Sequence, residues 1–240
     1  MTLRALIFDV DGTLAETEEA HREAFNATFA AHGLGWHWSR DLYARLLKVT
    51  GGKERMAHYV SHDLGQTPDL ERIAALHREK TAAYADILAA GGLKLRPGIA
   101  SLMADARARG VRLAVATTTN GPNVEALCRS CFGAPAGDVF EVIAAGDEVA
   151  AKKPAPDVYR LALARLDLPA RDCIALEDSA NGVKSATAAG LRCLASPSAY
   201  TEGDDLSPAI QVRRFTEAGD APSLASLFGD VAPRGPAAVS

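Results

Sequence analysis

Short apolar runs, each closed by polar residues and followed by a helical stretch, limit what this chain can fold into more than any other feature. The runs are Ala5 to Val10, Val111 to Ala116, Val139 to Ala144, Cys173 to Leu176 and Leu191 to Ala195. Helix candidates follow at Gly98 to Arg109, Pro122 to Cys131, Pro156 to Leu166 and Asn181 to Ala189, with prolines at several starts and Gly110 and Gly190 at two ends. The runs lack period-two alternation, as expected of strands buried on both faces of a parallel sheet covered by helices. Ligands bind such sheets beyond the carboxyl ends of the strands. The polar residues there are Asp9, Asp11, Thr117 to Asn120, Asp147, Glu177 and Asp178.

The alternation is interrupted between Glu16 and Gly92. There the chain shows only helical periodicity, in ETEEAHREAFNATFAAHG, SRDLYARLLKV, KERMAHYVSHDL and DLERIAALHREKTAAYADILAAGG. The expected fold is α/β, a Rossmann-like parallel-sheet core over residues 1–15 and 93–232 with an inserted all-helical cap domain over 16–92. Hinges are expected near Leu14 to Glu16 and Gly91 to Pro97. Residues 233–240, within PRGPAAVS, read as a flexible tail.

Lys plus Arg number 26 against 30 Asp plus Glu, a formal charge of −4, and no basic stretch tracks a phosphate backbone, which argues against nucleic acid as a partner. Cys128 and Cys131 form an isolated CxxC in an amphipathic helical segment, without a second pair or nearby histidines, and read as packed thiols. No apolar run reaches the roughly 18 residues of a membrane helix, and LRALIFDV opens the chain without a leader, so a cytoplasmic protein with no membrane partner is expected. No feature argues for a dimer, and a monomer is the expectation.

Asp9 and Asp11 flank Val10 at the end of the first run, so their carboxylates leave the strand end together while Val10 points inward. Two acids on one turn attract a divalent cation. Magnesium takes a few carboxylate or carbonyl oxygens plus water and substrate phosphate, and Glu177 and Asp178 end another strand where they could complete the set. Alone, the DxDG turn reads equally well as an acidic loop. Thr117, Thr118, Thr119 and Asn120 form a hydroxyl-rich turn leading into a helix, suited to phosphate oxygens at a positive helix end, or simply to capping that helix. Lys153 precedes Pro154 at another helix entrance and could neutralise a phosphoryl group or be a solvated surface lysine, which is the reading for Lys152.

The order DxDGT, strand-ending Thr, Lys-Pro and then Glu-Asp-Ser-Ala-Asn-Gly resembles the haloacid-dehalogenase-like phosphatases, and the helical insertion matches their cap. The resemblance implies that Asp9 is the nucleophile that becomes an acyl phosphate. Asp11 would protonate the leaving oxygen and then deprotonate the hydrolytic water, while giving its backbone carbonyl to Mg2+. Thr117 and Lys153 would hold the transferring phosphoryl group, and Asp9, Asp11, Glu177 and Asp178 the cation.

In Thr50-Gly51-Gly52-Lys53-Glu54-Arg55 a glycine turn opens a helix carrying two cations, which reads either as a solvated helix start or as a grip for a second anionic group. Together with FDVDGTLAETE and ATTTN, this segment looks like the CbbY-type sugar-bisphosphate phosphatases. That resemblance implies a small phosphorylated sugar as substrate, xylulose 1,5-bisphosphate, an inhibitory by-product in the Calvin cycle. Gly52, Lys53 and Arg55 would then hold the second phosphate. Glu16, Thr17, His21 and Lys80 fit hinge and inner-cap positions of the related β-phosphoglucomutases, where they couple closure to the acid/base aspartate. A sugar phosphomutase uses the same core, and a non-catalytic binding protein could keep the same fold. Trp36 and Trp38, in LGWHWS, read as cap packing rather than a sugar platform.

Overall fold

The computed structural model describes residues 3–214 and 223–225. The expected tail over 233–240 and the adjoining end of the core segment lie outside the described residues. The elements, in chain order, are β1 (Ala5–Phe8), α1 (Glu18–Ala31), α2 (Arg40–Leu46), α3 (Gly52–His58), which continues into a π-turn over Tyr59–Asp63, and α4 (Leu70–Ala89). Next come α5 (Ile99–Ala108), β2 (Arg112–Ala116), α6 (Gly121–Phe132), α7 (Ala136–Val139) and β3 (Val142–Ala144). The chain continues through α8 (Asp157–Leu166), β4 (Cys173–Glu177), α9 (Ala180–Ala188), β5 (Arg192–Ala195) and β6 (Gln211–Val212).

The six strands form one sheet in the order β3-β2-β1-β4-β5-β6, with every pair parallel. β1 lies between β2 and β4, with Phe8 level with Val115 on one side and Leu176 on the other. This register brings the residues that follow β1, β2 and β4 to one edge of the sheet. Side chains alternate across β1: Leu6 and Phe8 join the layer with α5 and α6, while Ala5 and Ile7 join the layer with α8 and α9. All four β1 side chains are fully buried. Removing ones the size of Leu6 or Phe8 from water contributes roughly 1.5–3 kcal/mol each.

Two differences from the sequence reading have local causes. The run from Val139 to Ala144 is not one strand. Pro135 starts the short α7, Ala136 N–H is held by Glu125 Oε2 at 2.8 Å, and β3 begins only at Val142. β6 was not anticipated, because Gln211 and Val212 form a two-residue edge strand that stays partly exposed and carries no apolar run.

Helices α1 to α4 build a second core from Phe25, Phe29, Trp38, Tyr43, Leu46 and Met56 with their neighbours. Trp38 is completely buried, 4.6 Å from Phe25 and 5.0 Å from Phe29 between ring centroids, and Trp36 meets Phe29 edge-on at 5.2 Å. Both tryptophans therefore pack the insertion. Its entering and leaving segments run side by side: Ala15 bridges Leu95, and Arg96 N–H donates to Leu14 O at 2.8 Å. Gly91 and Gly92 adopt φ of 90° and 102° on the way out, a region that favours glycine. Cys128 lies in the main core, where burial pushes its thiol up to about 12, as an inert packed cysteine requires.

Candidate active site

The chain turns sharply after β1. Gly12 has φ of 77°, and a Cβ there would sit 2.2 Å from Asp178 Oδ2, so only glycine lets the loop after β1 approach the end of β4. Gly182 does the same from the other side, since its added Cβ would lie 1.9 Å from Glu177 Oε2. Ser179 caps α9 by accepting from Gly182 N at 3.2 Å, which sets that helix start directly behind the two acids.

These constraints bring Asp9, Glu177 and Asp178 together, all buried, with one carboxylate oxygen from each within 4.8 Å of the others. Lys153 Nζ donates to Asp9 Oδ1 at 2.7 Å and to Glu177 Oε1 at 2.6 Å. One ammonium does not balance three buried carboxylates. Burial, with Glu177 and Asp11 nearby, raises Asp9 to about 7 despite Lys153, and burial with Asp9 and Glu177 drives Asp178 well above the usual carboxylate range. Glu177 Oε2 is buried without a hydrogen-bond partner among the described residues. An all-oxygen donor set with an unmet oxygen and excess negative charge fits a hard divalent cation.

Asp11 faces the insertion. Its Oδ1 accepts from Thr17 Oγ1 at 2.6 Å and from His21 Nε2 at 2.9 Å, and Lys80 Nζ reaches His21 Nδ1 at 2.6 Å. His21 stacks on Tyr84 at 4.0 Å. Burial would raise the Asp11 carboxyl, but His21, Thr17 and Lys80 together hold it at about 2. In this arrangement Asp11 is held as a carboxylate. Burial lowers Lys80 to about 7, against the pull of Asp11.

Above the acids opens a cleft of about 640 Å³, walled by both parts of the molecule. Core residues Asp9, Asp11, Thr118, Asn120, Lys153 and Asp178 line it, as do Gly52, Lys53, Arg55, His21 and Lys80 from the insertion. Gly52 passes so close to His77 that a Cβ would lie 2.5 Å from Nε2. Burial and then Lys80 and Lys53 push that imidazole down to about 3, so it stays neutral among cations. Arg55 is anchored, with Nη1 donating to Tyr43 OH at 3.1 Å and Nε to Leu46 O at 3.2 Å. Lys53 is exposed at the cleft wall.

Three sequence candidates are held by specific partners. Glu16 is exposed and does not line the cleft. It pairs with Arg96 Nε at 3.1 Å and accepts from Ala199 N at 3.3 Å, drawn aside by a guanidinium that also binds Gly12 O, Ser196 O and Pro197 O. Thr117 is almost fully buried at the end of β2 and accepts from Thr119 N at 3.2 Å. Asn120 both caps α6, accepting from Asn123 N at 3.0 Å, and donates to Thr81 Oγ1 of α4 at 3.1 Å. Glu18, His77, Asn181 and Tyr200 also line the cleft with no mark in the sequence, and Lys152, read as solvated, is half-buried there with Nζ donating to Gly146 O. Asn181 donates to Thr50 Oγ1 at 3.0 Å, tying α9 to the glycine turn. The pattern EDSANG pointed to its acids, and nothing in it marked the asparagine as a bridge.

A family model described as haloacid dehalogenase-like hydrolase matches residues 3–190. The chain belongs to that family, and it is a phosphatase. Protein CbbY of Rhodobacter capsulatus is 60% identical over 209 residues, covering 87% of this chain and 92% of that protein. A crystal structure of a CbbY mutant from Rhodobacter sphaeroides in complex with xylulose-(1,5)bisphosphate is 54% identical, with a TM-score of 0.88 over 94% of this chain and 99% of that one. A β-phosphoglucomutase of Clostridium difficile, at 20% identity and a TM-score of 0.73 over 90% of this chain and 92% of that one, shares the fold.

Proposed function

We propose that this phosphatase hydrolyses a sugar bisphosphate, xylulose 1,5-bisphosphate, with Mg2+ and through an aspartyl phosphate on Asp9. The observation that carries the reading is the position of Asp9: its carboxylate lies at the cleft, held by Lys153 and clustered with Glu177 and Asp178. The high identity to proteins named CbbY, one of them solved with that bisphosphate, supports the choice of substrate. Asp9, Glu177, Asp178 and the Asp11 carbonyl would hold Mg2+, which supplies charge neutralisation for the phosphoryl oxygens.

Asp9 attacks phosphorus, and the P–O bond to the sugar breaks as the Asp9 acyl phosphate forms. Lys153 and the β2 turn at Thr117 and Thr118 stabilise the phosphoryl oxygens. Asp11 takes up a proton from solvent once substrate is bound and delivers it to the leaving sugar oxygen. A dianionic phosphate brought beside it opposes the stabilisation from His21 and Lys80 and raises its proton affinity for this step. The Asp11 carboxylate then takes a proton from water, which attacks the acyl phosphate and releases free phosphate. Lys53 and Arg55 receive the second phosphate, and the helical insertion over 16–92 acts as a cap, hinged at Leu14 to Glu16 and Gly91 to Pro97.

Phosphate release from a panel of sugar monophosphates and bisphosphates, with and without Mg2+, tests this reading. It requires strong Mg2+-dependent preference for a pentulose bisphosphate. Interconversion of glucose phosphates without phosphate release would show a phosphomutase instead.

A further inference from the structure

Tyr159 is fully buried on α8, and its hydroxyl donates to Glu177 Oε1 at 2.6 Å. Lys153 Nζ donates to the same oxygen at 2.6 Å and lies 5.1 Å from the centroid of the Tyr159 ring. Glu177 Oε1 therefore carries two donors. Its other oxygen, Oε2, is buried and has no partner among the described residues, and the backbone of Gly182 closes the carboxylate on the α9 side. A carboxylate held this way cannot exchange its oxygens by rotating without breaking two short hydrogen bonds in a dry environment.

We propose that Tyr159 is a positioning residue for the divalent cation: with Lys153 it occupies Glu177 Oε1 and so commits Oε2 to the metal. The inference rests on the magnesium-phosphatase reading. Lys153 alone would be a weak orienter, since it is shared with Asp9 and would be drawn toward an incoming phosphoryl group. The phenol is aimed at Glu177 and has no competing partner of that kind, so it keeps the ligand in place while Lys153 serves the substrate. Groups that hold a metal ligand from behind typically affect metal affinity or activity by about 10–100-fold when removed.

Tyr159→Phe keeps the ring and its packing and removes only the hydroxyl. Mn2+ binding, followed by loss of the free-ion paramagnetic resonance signal, is measured on the wild-type chain and on this variant. The Mg2+ concentration for half-maximal phosphate release and the KM for sugar phosphate at saturating Mg2+ are measured beside it. The expected result is about 10–100-fold weaker Mn2+ binding and a matching rise in the Mg2+ requirement, with the sugar KM unchanged and kcat largely recovered at high Mg2+. Gly182→Ala, which pushes on the Glu177 carboxylate itself, should weaken Mn2+ binding as well. Equal Mn2+ affinity and Mg2+ requirement in wild type and Tyr159→Phe would overturn the proposal, and a uniform loss of activity and thermal stability without a shift in metal affinity would do the same. If the wild-type chain binds no Mn2+ and releases phosphate equally well in a chelator, the magnesium reading falls and this inference with it.

Discussion

His21 Nε2 lies 2.9 Å from Asp11 Oδ1, so a helix of the insertion grips the second aspartate of the strand-end turn. With Thr17 on the same oxygen and Lys80 behind the imidazole, the proton state of Asp11 depends on the insertion being in place. On the proposed mechanism, chemistry and the position of the insertion are thereby coupled through one carboxylate.

Replacing His21 with Asn should lower kcat by on the order of 10²-fold, the lower end for loss of well-placed acid/base assistance, and leave the Mg2+ requirement unchanged. Steady-state kinetics across Mg2+ concentrations would check it. An unaltered kcat would remove His21 from the account.

Lys80 makes stability depend on pH in a defined direction. Its ammonium titrates at about 7 in the folded chain, against an ordinary value of 10.5. Between those values the unfolded chain holds a proton that the folded chain has released, so raising the pH favours folding. Denaturation midpoints of wild type should gain on those of Lys80→Met from pH 7 to pH 10.5, and parallel curves would contradict the burial argument.

For Lys53→Met, KM should rise about tenfold or more for a bisphosphate, as expected for a lost charge-assisted contact of roughly 1.5–3 kcal/mol, with little change for a monophosphate. Arg55→Met is a harsher change. It also takes a donor away from Tyr43 OH and Leu46 O and removes the guanidinium stacked 5.2 Å over the Tyr43 ring, so part of its effect should appear as lost stability. Equal KM changes for both substrate types would place the second phosphate elsewhere.

Trp38→Ala should destabilise the chain by about 3–5 kcal/mol, because a fully buried indole is removed from the centre of the insertion's aromatic core. Calorimetry would register this as a lower Tm, and a small change would mean that the insertion repacks.

Much of the layout was legible in the sequence. Ala5 to Phe8 is apolar on both faces because β1 is the central strand, and the acids after it had to emerge at the ligand-binding edge. The pairing of β1 with β4 then places Glu177 and Asp178 beside Asp9, as their shared strand-end positions suggested. What escaped were roles set by tertiary contact. Tyr159 lay unmarked inside the helix candidate Pro156 to Leu166, since nothing local shows that its hydroxyl meets Glu177. Glu16 sat in an acidic run with no sign that Arg96, far along the chain, would pull it out of the cleft. Asn181 bridges to Thr50 only because the insertion folds over α9.

The central claim is that Asp9 carries the phosphoryl group. Rapid quenching of the enzyme with radiolabelled sugar bisphosphate, followed by peptide mapping, tests it most directly. A hydroxylamine-sensitive label on the peptide containing Asp9, rising and decaying within one turnover and missing from Asp9→Asn, is the result this account requires. Release of labelled phosphate in the first turnover with no label on the protein, or steady turnover by a clean Asp9→Asn preparation, would contradict it.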